Sequence, residues 1–130
     1  MNREIVKYGR VSSVNPANMT AKVLLDDEDN KVSYDLSIIV QNSKCNKDYA
    51  LPDVGERVVC LFLDRENTAG FIVGAVYSSN NMPLHNNADV RAVDFADGTS
   101  IEYNRATGSL RINCTGDLII NARNIYLNEG

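Results

Sequence analysis

Between Ile5 and Tyr77 the apolar residues fall into five short runs separated by polar turn formers. Nowhere do they hold the i, i+3, i+4, i+7 spacing of a helix face. Residues 5–14 (IVKYGRVSSV) end at Asn15-Pro16, and residues 19–25 (MTAKVLL) alternate before a charged turn, Asp26-Asp27-Glu28-Asp29-Asn30. Residues 31–40 (KVSYDLSIIV), 56–63 (ERVVCLFL) and 70–77 (GFIVGAVY) complete the set. β-Branched and aromatic residues bounded by Gly, Pro, Asn and Asp are the mark of strands joined by reversals.

Five strands with no crossover helix predict a small antiparallel barrel, because closure removes the edges that an open sheet exposes to strand addition. Gly9 and Gly74 lie inside strands, where a tight barrel bends sharply. The architecture predicted for residues 1–77 is therefore an OB-fold barrel within an all-β protein. Residues 78–93, which begin SSNNMPLHNNADV, are rich in Asn and Ser, contain Pro83 and show no period. They read as a linker.

From residue 94 to residue 130 the pattern repeats. Residues 107–114 (TGSLRINC) and 115–122 (TGDLIINA) are the same octet with five identical positions. A shortened copy spans residues 123–128, and residues 97–104 (DGTSIEYN) fit with one residue inserted. Each unit is a glycine turn, two apolar residues one apart, then Asn, which is a short strand reversing about every eight residues. The stripe is Ile101, Tyr103, Leu110, Ile112, Leu118, Ile120, Ile125 and Leu127, and octet parity adds Cys114 and Ala122 as small fillers.

A segment of fewer than about 40 residues usually needs a disulfide, a metal or association to stay folded. This one has a single cysteine, Cys114, and the only histidine, His85, lies in the linker. Association remains, with the barrel or with further copies. Docking on the barrel would call for one broad apolar face, whereas a narrow stripe at constant pitch suits strands stacked as a solenoid. The expectation is an intertwined β-helix shared by several chains.

The net charge of −4 and the lack of any Lys/Arg cluster exclude a protein built to grip phosphates. A single-strand-binding barrel would also need exposed aromatics beside a basic groove. Here Phe62, Phe71 and Tyr77 sit among apolar neighbours and are expected in the core. Three widely spaced cysteines without a CxxC pair suggest synthesis in a reducing cytoplasm, and MNREIVKYGR lacks the apolar centre of a signal peptide.

Candidate chemistry is thin. His85 in its Asn-rich surroundings reads as solvated. The acidic turn at residues 26–29 lacks the Gly and closing Glu of a calcium loop and reads as exposed. Glu56 with Asp64, or Asp94 with Glu102, resemble a glycosidase carboxylate pair, but such acids are ordinary on wet strand faces. Gly98, Gly108 and Gly116 are spaced 10 and 8 residues apart, as turn residues with positive φ and not as a phosphate cradle. No catalytic, cofactor or metal site is expected.

The stretches GRVSSVNP, AKVLLDD, LPDVGERVVCLFLD, GFIVGAVYS and FADGTSIEYNRATGSLRINCTGDLIINA, which span residues 9–122 in this order, carry a resemblance. Together they resemble the phage baseplate assembly protein V family, the central spike of contractile tails, related to type VI secretion and R-type bacteriocin spikes. The resemblance implies a homotrimer. Its OB-fold domain would meet the baseplate hub protein, and its C-terminal segments would wind into a trimeric intertwined β-helix with Ile101 to Leu127 of the stripe in the trimer core. It implies a non-enzymatic, membrane-piercing virion component, made without a signal peptide and placed in the baseplate of a phage or bacteriocin particle. The last residues, Asn128-Glu129-Gly130, lack the H-x-H motif with which some members hold a tip ion. A stubby stem capped by a separate spike-tip protein and a tip built without metal both fit. A non-piercing hub adaptor and a ligand-binding OB module are the alternative readings.

Overall fold

The computed structural model describes residues 5–26, 28, 29 and 31–130. Asp27 and Asn30 of the expected acidic turn, and the first residues of MNREIVKYGR, lie outside them. Among the described residues there is no helix, and the chain divides into two compact units, one ending at Met82 and the other spanning Pro83–Gly130.

The first unit is a closed five-stranded barrel. Its strands are β1 (Val6–Asn15), β2 (Thr20–Leu25), β3 (Leu36–Ile38), β4 (Arg57–Phe62) and β5 (Gly70–Ala75), in the order β1-β2-β3-β5-β4 with β4 returning to β1. This order is consistent with an OB-like barrel. All neighbours are antiparallel except β3 and β5, which run parallel through two register pairs, Ser37 with Phe71 and Ile38 with Ile72.

Alternation decides what each strand buries. On β2 it is Ala21, Val23 and Leu25, and on β4 it is Val58, Cys60 and Phe62. Val11, Leu36 and Ile72 complete a core of nine buried apolar side chains, all of them in this unit. Gly9 is required on β1 because a Cβ there would collide with the Val23 side chain and the Leu24 carbonyl. Gly74 stands beside the irregularity where β4 and β5 shift register.

Two expectations change. The run 31–40 forms a strand only over Leu36–Ile38, with an isolated bridge from Val32 to Leu24. The cause is Ser33, whose backbone N–H donates to the Val23 carbonyl while its hydroxyl accepts the Val23 N–H at 3.0 Å and donates to the Tyr34 carbonyl at 2.8 Å. The side chain takes a place that a ladder carbonyl would hold, and regular pairing stops. Of the three aromatics expected inside, only Phe62 is fully buried. Phe71 is half-buried and Tyr77 is exposed, since β5 ends two residues before Tyr77.

One buried polar cluster ties loops to the barrel. Lys7, 4% exposed, donates to Glu28 and, at 3.1 Å, to Asn67 Oδ1; its ammonium lies 5.5 Å from the Phe62 ring centre. Asn67 Nδ2 donates to both Glu28 oxygens, at 2.9 and 3.2 Å. The Lys7 hydrogen bond, opposed by desolvation and helped by Asn67 and by the charges of Lys7 and Lys31, holds the Glu28 carboxyl below the usual glutamate range. A depressed carboxylate stabilises the fold fully above its unfolded value of about 4.3, and that contribution is lost as pH falls through the lower folded value. Glu28→Gln is therefore expected to lower the urea midpoint near neutrality. It should also flatten the loss of midpoint between about pH 5 and about pH 3 relative to the parent. Parallel pH curves for the two proteins would show that the cluster does not act through this carboxylate.

Candidate functional site

The second unit is a three-stranded antiparallel sheet of β6 (Val90–Asp94), β7 (Ser100–Asn104) and β8 (Ser109–Asn113). β6 begins inside the stretch expected as linker. The Asn-rich segment hides it, yet that segment initiates it: Asn87 accepts the Asp89 N–H through its side chain and the Val90 N–H through its carbonyl. Gly98 and Gly108 adopt φ of +95° and +75° in the two hairpin turns, conformations that suit glycine. Gly116, read in the same way, does not have a positive φ.

The register puts Val93 opposite Ile101, Ile101 opposite Ile112, and Tyr103 opposite Leu110. These five side chains occupy one face. β6 adds Val93 to the one apolar pair that β7 and β8 each contribute, and Arg91 stands on the same face opposite Tyr103. Every one of the five is exposed in the single chain, from Ile101 at 43% to Leu110 at 66%. The opposite face carries Ala92, Asp94, Ser100, Glu102 and Arg111. His85 is not simply solvated. Its Nε2 lies 2.9 Å from Asp94 Oδ2 and its Nδ1 3.5 Å from Glu102 Oε1, so the ring bridges two strands on the polar face. This engages the acids that had suggested a carboxylate pair. Among the described residues no cluster of three or more His, Cys, Asp or Glu has the geometry to hold a metal.

Beyond β8 the chain is anchored and then left unpaired. Thr115 donates through Oγ1 to Asp97 Oδ2 at 2.8 Å, and its N–H reaches Thr99 Oγ1 at 3.3 Å. The Thr99 N–H donates to Asp97 Oδ1 at 2.9 Å, and this bond, then that from Thr115, lowers the Asp97 carboxyl below its usual range. The β6–β7 turn thus fixes where the second octet departs. Cys114 is exposed, its Sγ–H donating to the Asp117 carbonyl at 3.4 Å.

Past that point, residues 118–130 make no backbone hydrogen bond to any described residue. Leu118, Ile120, Ile125 and Leu127 are 55–90% exposed, Ala122 is exposed, and so are the off-stripe residues Ile119 and Tyr126. The second octet, expected as a strand, has no strand partner among the described residues. Elsewhere, an open groove beside the β1–β2 turn is lined by Ser13, Asn15, Lys22 and Asp35 among others. It holds no converging set of reactive groups.

What sequence reasoning missed here was β6 and the His85 contacts. The period-2 run VRAV was legible as a short strand, but the bridging of Asp94 and Glu102 depends on cross-strand register and had no signal. No protein-family model matches the chain, and no curated protein matches it.

Proposed function

We propose that this protein is a non-enzymatic structural component, the short central spike of a phage or phage-like contractile injection machine. Residues 1–77 hold it to a hub protein, and residues 94–130 of three chains wind into a β-helical stem whose interior is Ile101, Tyr103, Leu110, Ile112, Cys114, Leu118, Ile120, Ala122, Ile125 and Leu127. The single observation that supports this reading most is the incompleteness of the second unit. Its apolar face is exposed, none of its side chains belongs to the buried core, and residues 118–130 leave their backbone groups unpaired within the described chain. Apolar surface and unpaired strand edges of this extent mark an interaction site. Identical partners satisfy both needs, because a repeat that offers one stripe per strand gains a core when copies stack. The order of motifs resembling the spike family points to three copies. An interwoven stem suits a piercing role, since no chain can leave without unwinding past the other two.

Light scattering tests the reading directly. The full chain is expected at three times 14.3 kDa. A chain ending at Met82, which keeps the whole buried core, is expected as a monomer. A monomeric full chain would overturn the stem and the spike with it.

A further inference from the structure

We infer that the second octet of each chain adds as an extra strand to the free edge of β6 in a neighbouring copy, so that every chain donates residues 117–122 and accepts along residues 90–94. This inference rests on the proposed self-association, and it names the surface through which that occurs.

The two octets are near copies, but only the first has a partner. Residues 109–113 pair with β7, whereas residues 117–122 of the same sequence type pair with nothing described. β7 cannot serve them, because its two sides are taken by β6 and β8. The remaining edges are the outer sides of β6 and β8. Hydrogen bonds from Phe95 N–H to the Thr99 carbonyl, 2.8 Å, and from Arg105 N–H to the Asp89 carbonyl, 3.0 Å, fix the phase of the β6–β7 ladder. Antiparallel alternation then turns the backbone groups of Arg91 and Val93 toward β7, and those of Ala92 and Asp94 toward the open edge. By the same alternation β8 presents Leu110 and Ile112 at its own edge.

Side chains choose between the edges. Octet alignment places Ile119 where the first octet has Arg111, on the polar side of the sheet. On that side β8 offers Ser109, Arg111 and Asn113. β6 offers Val90 and Ala92, both half-buried, before Asp94. Ile119, 75% exposed in the single chain, finds apolar neighbours only at β6. On the other face Leu118 and Ile120 would meet Val93 and Arg91 at β6, or Leu110 and Ile112 at β8, so β6 is the edge that gives apolar neighbours on both faces. Asp117 would gain Arg111 at the other edge, but an exposed ion pair contributes less than burying a large apolar side chain. Donating one edge segment and accepting on another is a head-to-tail contact, which gives a ring when the rotation closes, as three copies about one axis require, and an open filament when it does not.

Disulfide trapping tests this in the full chain. Cys45 and Cys114 are replaced by Ala, and Cys60 is kept, since burial pushes its thiol up to about 11 and leaves it unreactive. Ile119→Cys is then combined singly with Val90→Cys, Ala92→Cys or Asp94→Cys, and in a second set with Ser109→Cys, Arg111→Cys or Asn113→Cys. Each set samples its edge at every register of that face. After mild oxidation, covalent dimers and trimers on a non-reducing gel are expected from the β6 set and not from the β8 set. Crosslinks from the β8 set, crosslinks within one chain, or none in either set, with a trimeric mass by light scattering, would overturn the β6 edge and leave the trimer standing. A monomeric mass in the uncrosslinked protein would remove both.

Discussion

Ile112→Asp is expected to convert the full chain from a particle of three times 14.3 kDa into monomers while leaving the melting of the barrel unchanged. Ile112 sits on the edge strand β8 of the exposed face, opposite Ile101, at a position that the stem reading turns toward the shared axis. Three carboxylates brought together there would be desolvated without a cation to pair them, and an uncompensated buried charge costs about 3–5 kcal/mol each. Monomers are the lower-energy outcome because a single chain keeps position 112 in water. A thiol count reads the same event chemically. With Cys60 buried and its thiol pushed up to about 11, the dissociated variant should present two fast-reacting thiols, Cys45 and Cys114. The parent should present one, because the stem covers Cys114. Two fast thiols in a trimeric parent would show that Cys114 faces outward and that the stripe was assigned with the wrong parity.

Phe62→Ala has the opposite profile. Phe62 is 1% exposed and the largest fully buried side chain of the core, and Lys7 lies over its ring. Truncating a buried phenylalanine costs about 3–5 kcal/mol in lost transfer energy and residual cavity. A small domain commonly has only about 5–15 kcal/mol in total. The urea midpoint of the barrel should fall accordingly, with its m-value retained. A shift corresponding to less than about 1 kcal/mol would mean that the site collapses around the lost ring and that the nine-residue core does not depend on it. Together the two variants separate stability that belongs to one chain from stability that belongs to several.

Much of the barrel was legible from residue pattern alone. β1, β2, β4 and β5 begin within a residue of the runs read from the sequence, because β-branched and aromatic residues bounded by turn formers leave few alternatives. β3 was overextended because a serine that replaces a ladder carbonyl looks, in sequence, like any polar residue between apolar ones. The parallel closure of β3 on β5 joins residues more than thirty positions apart and has no local signal. In the second unit the octet repeat gave β7 and β8, and the apolar stripe named side chains that the structure leaves exposed. β6 escaped because Pro83 and the run of asparagines read as a linker that ran on through Val93, over all but the last residue of the strand. On the proposed self-association the exposure of the stripe belongs to the single chain and would be removed as copies stack.

The closure of the barrel through β3 and β5 sets where the fold breathes. Two parallel register pairs seal it there, as many as join β2 to β3, but that antiparallel seam is extended by the Val32–Leu24 bridge and the Ser33 hydrogen bond to Val23, and the other ladders have five or more. Parallel pairs are slightly weaker per residue, and local openings follow the weakest cooperative unit. The first excursion from the native state is thus expected to be a parted barrel that is still a five-stranded sheet, with Leu36–Ile38 at one rim and Gly70–Ala75 at the other. For that interval the protein regains the two raw edges that closure had removed. The hazard of aggregation then sits in a brief opening along one short seam, with no need for the chain to unfold.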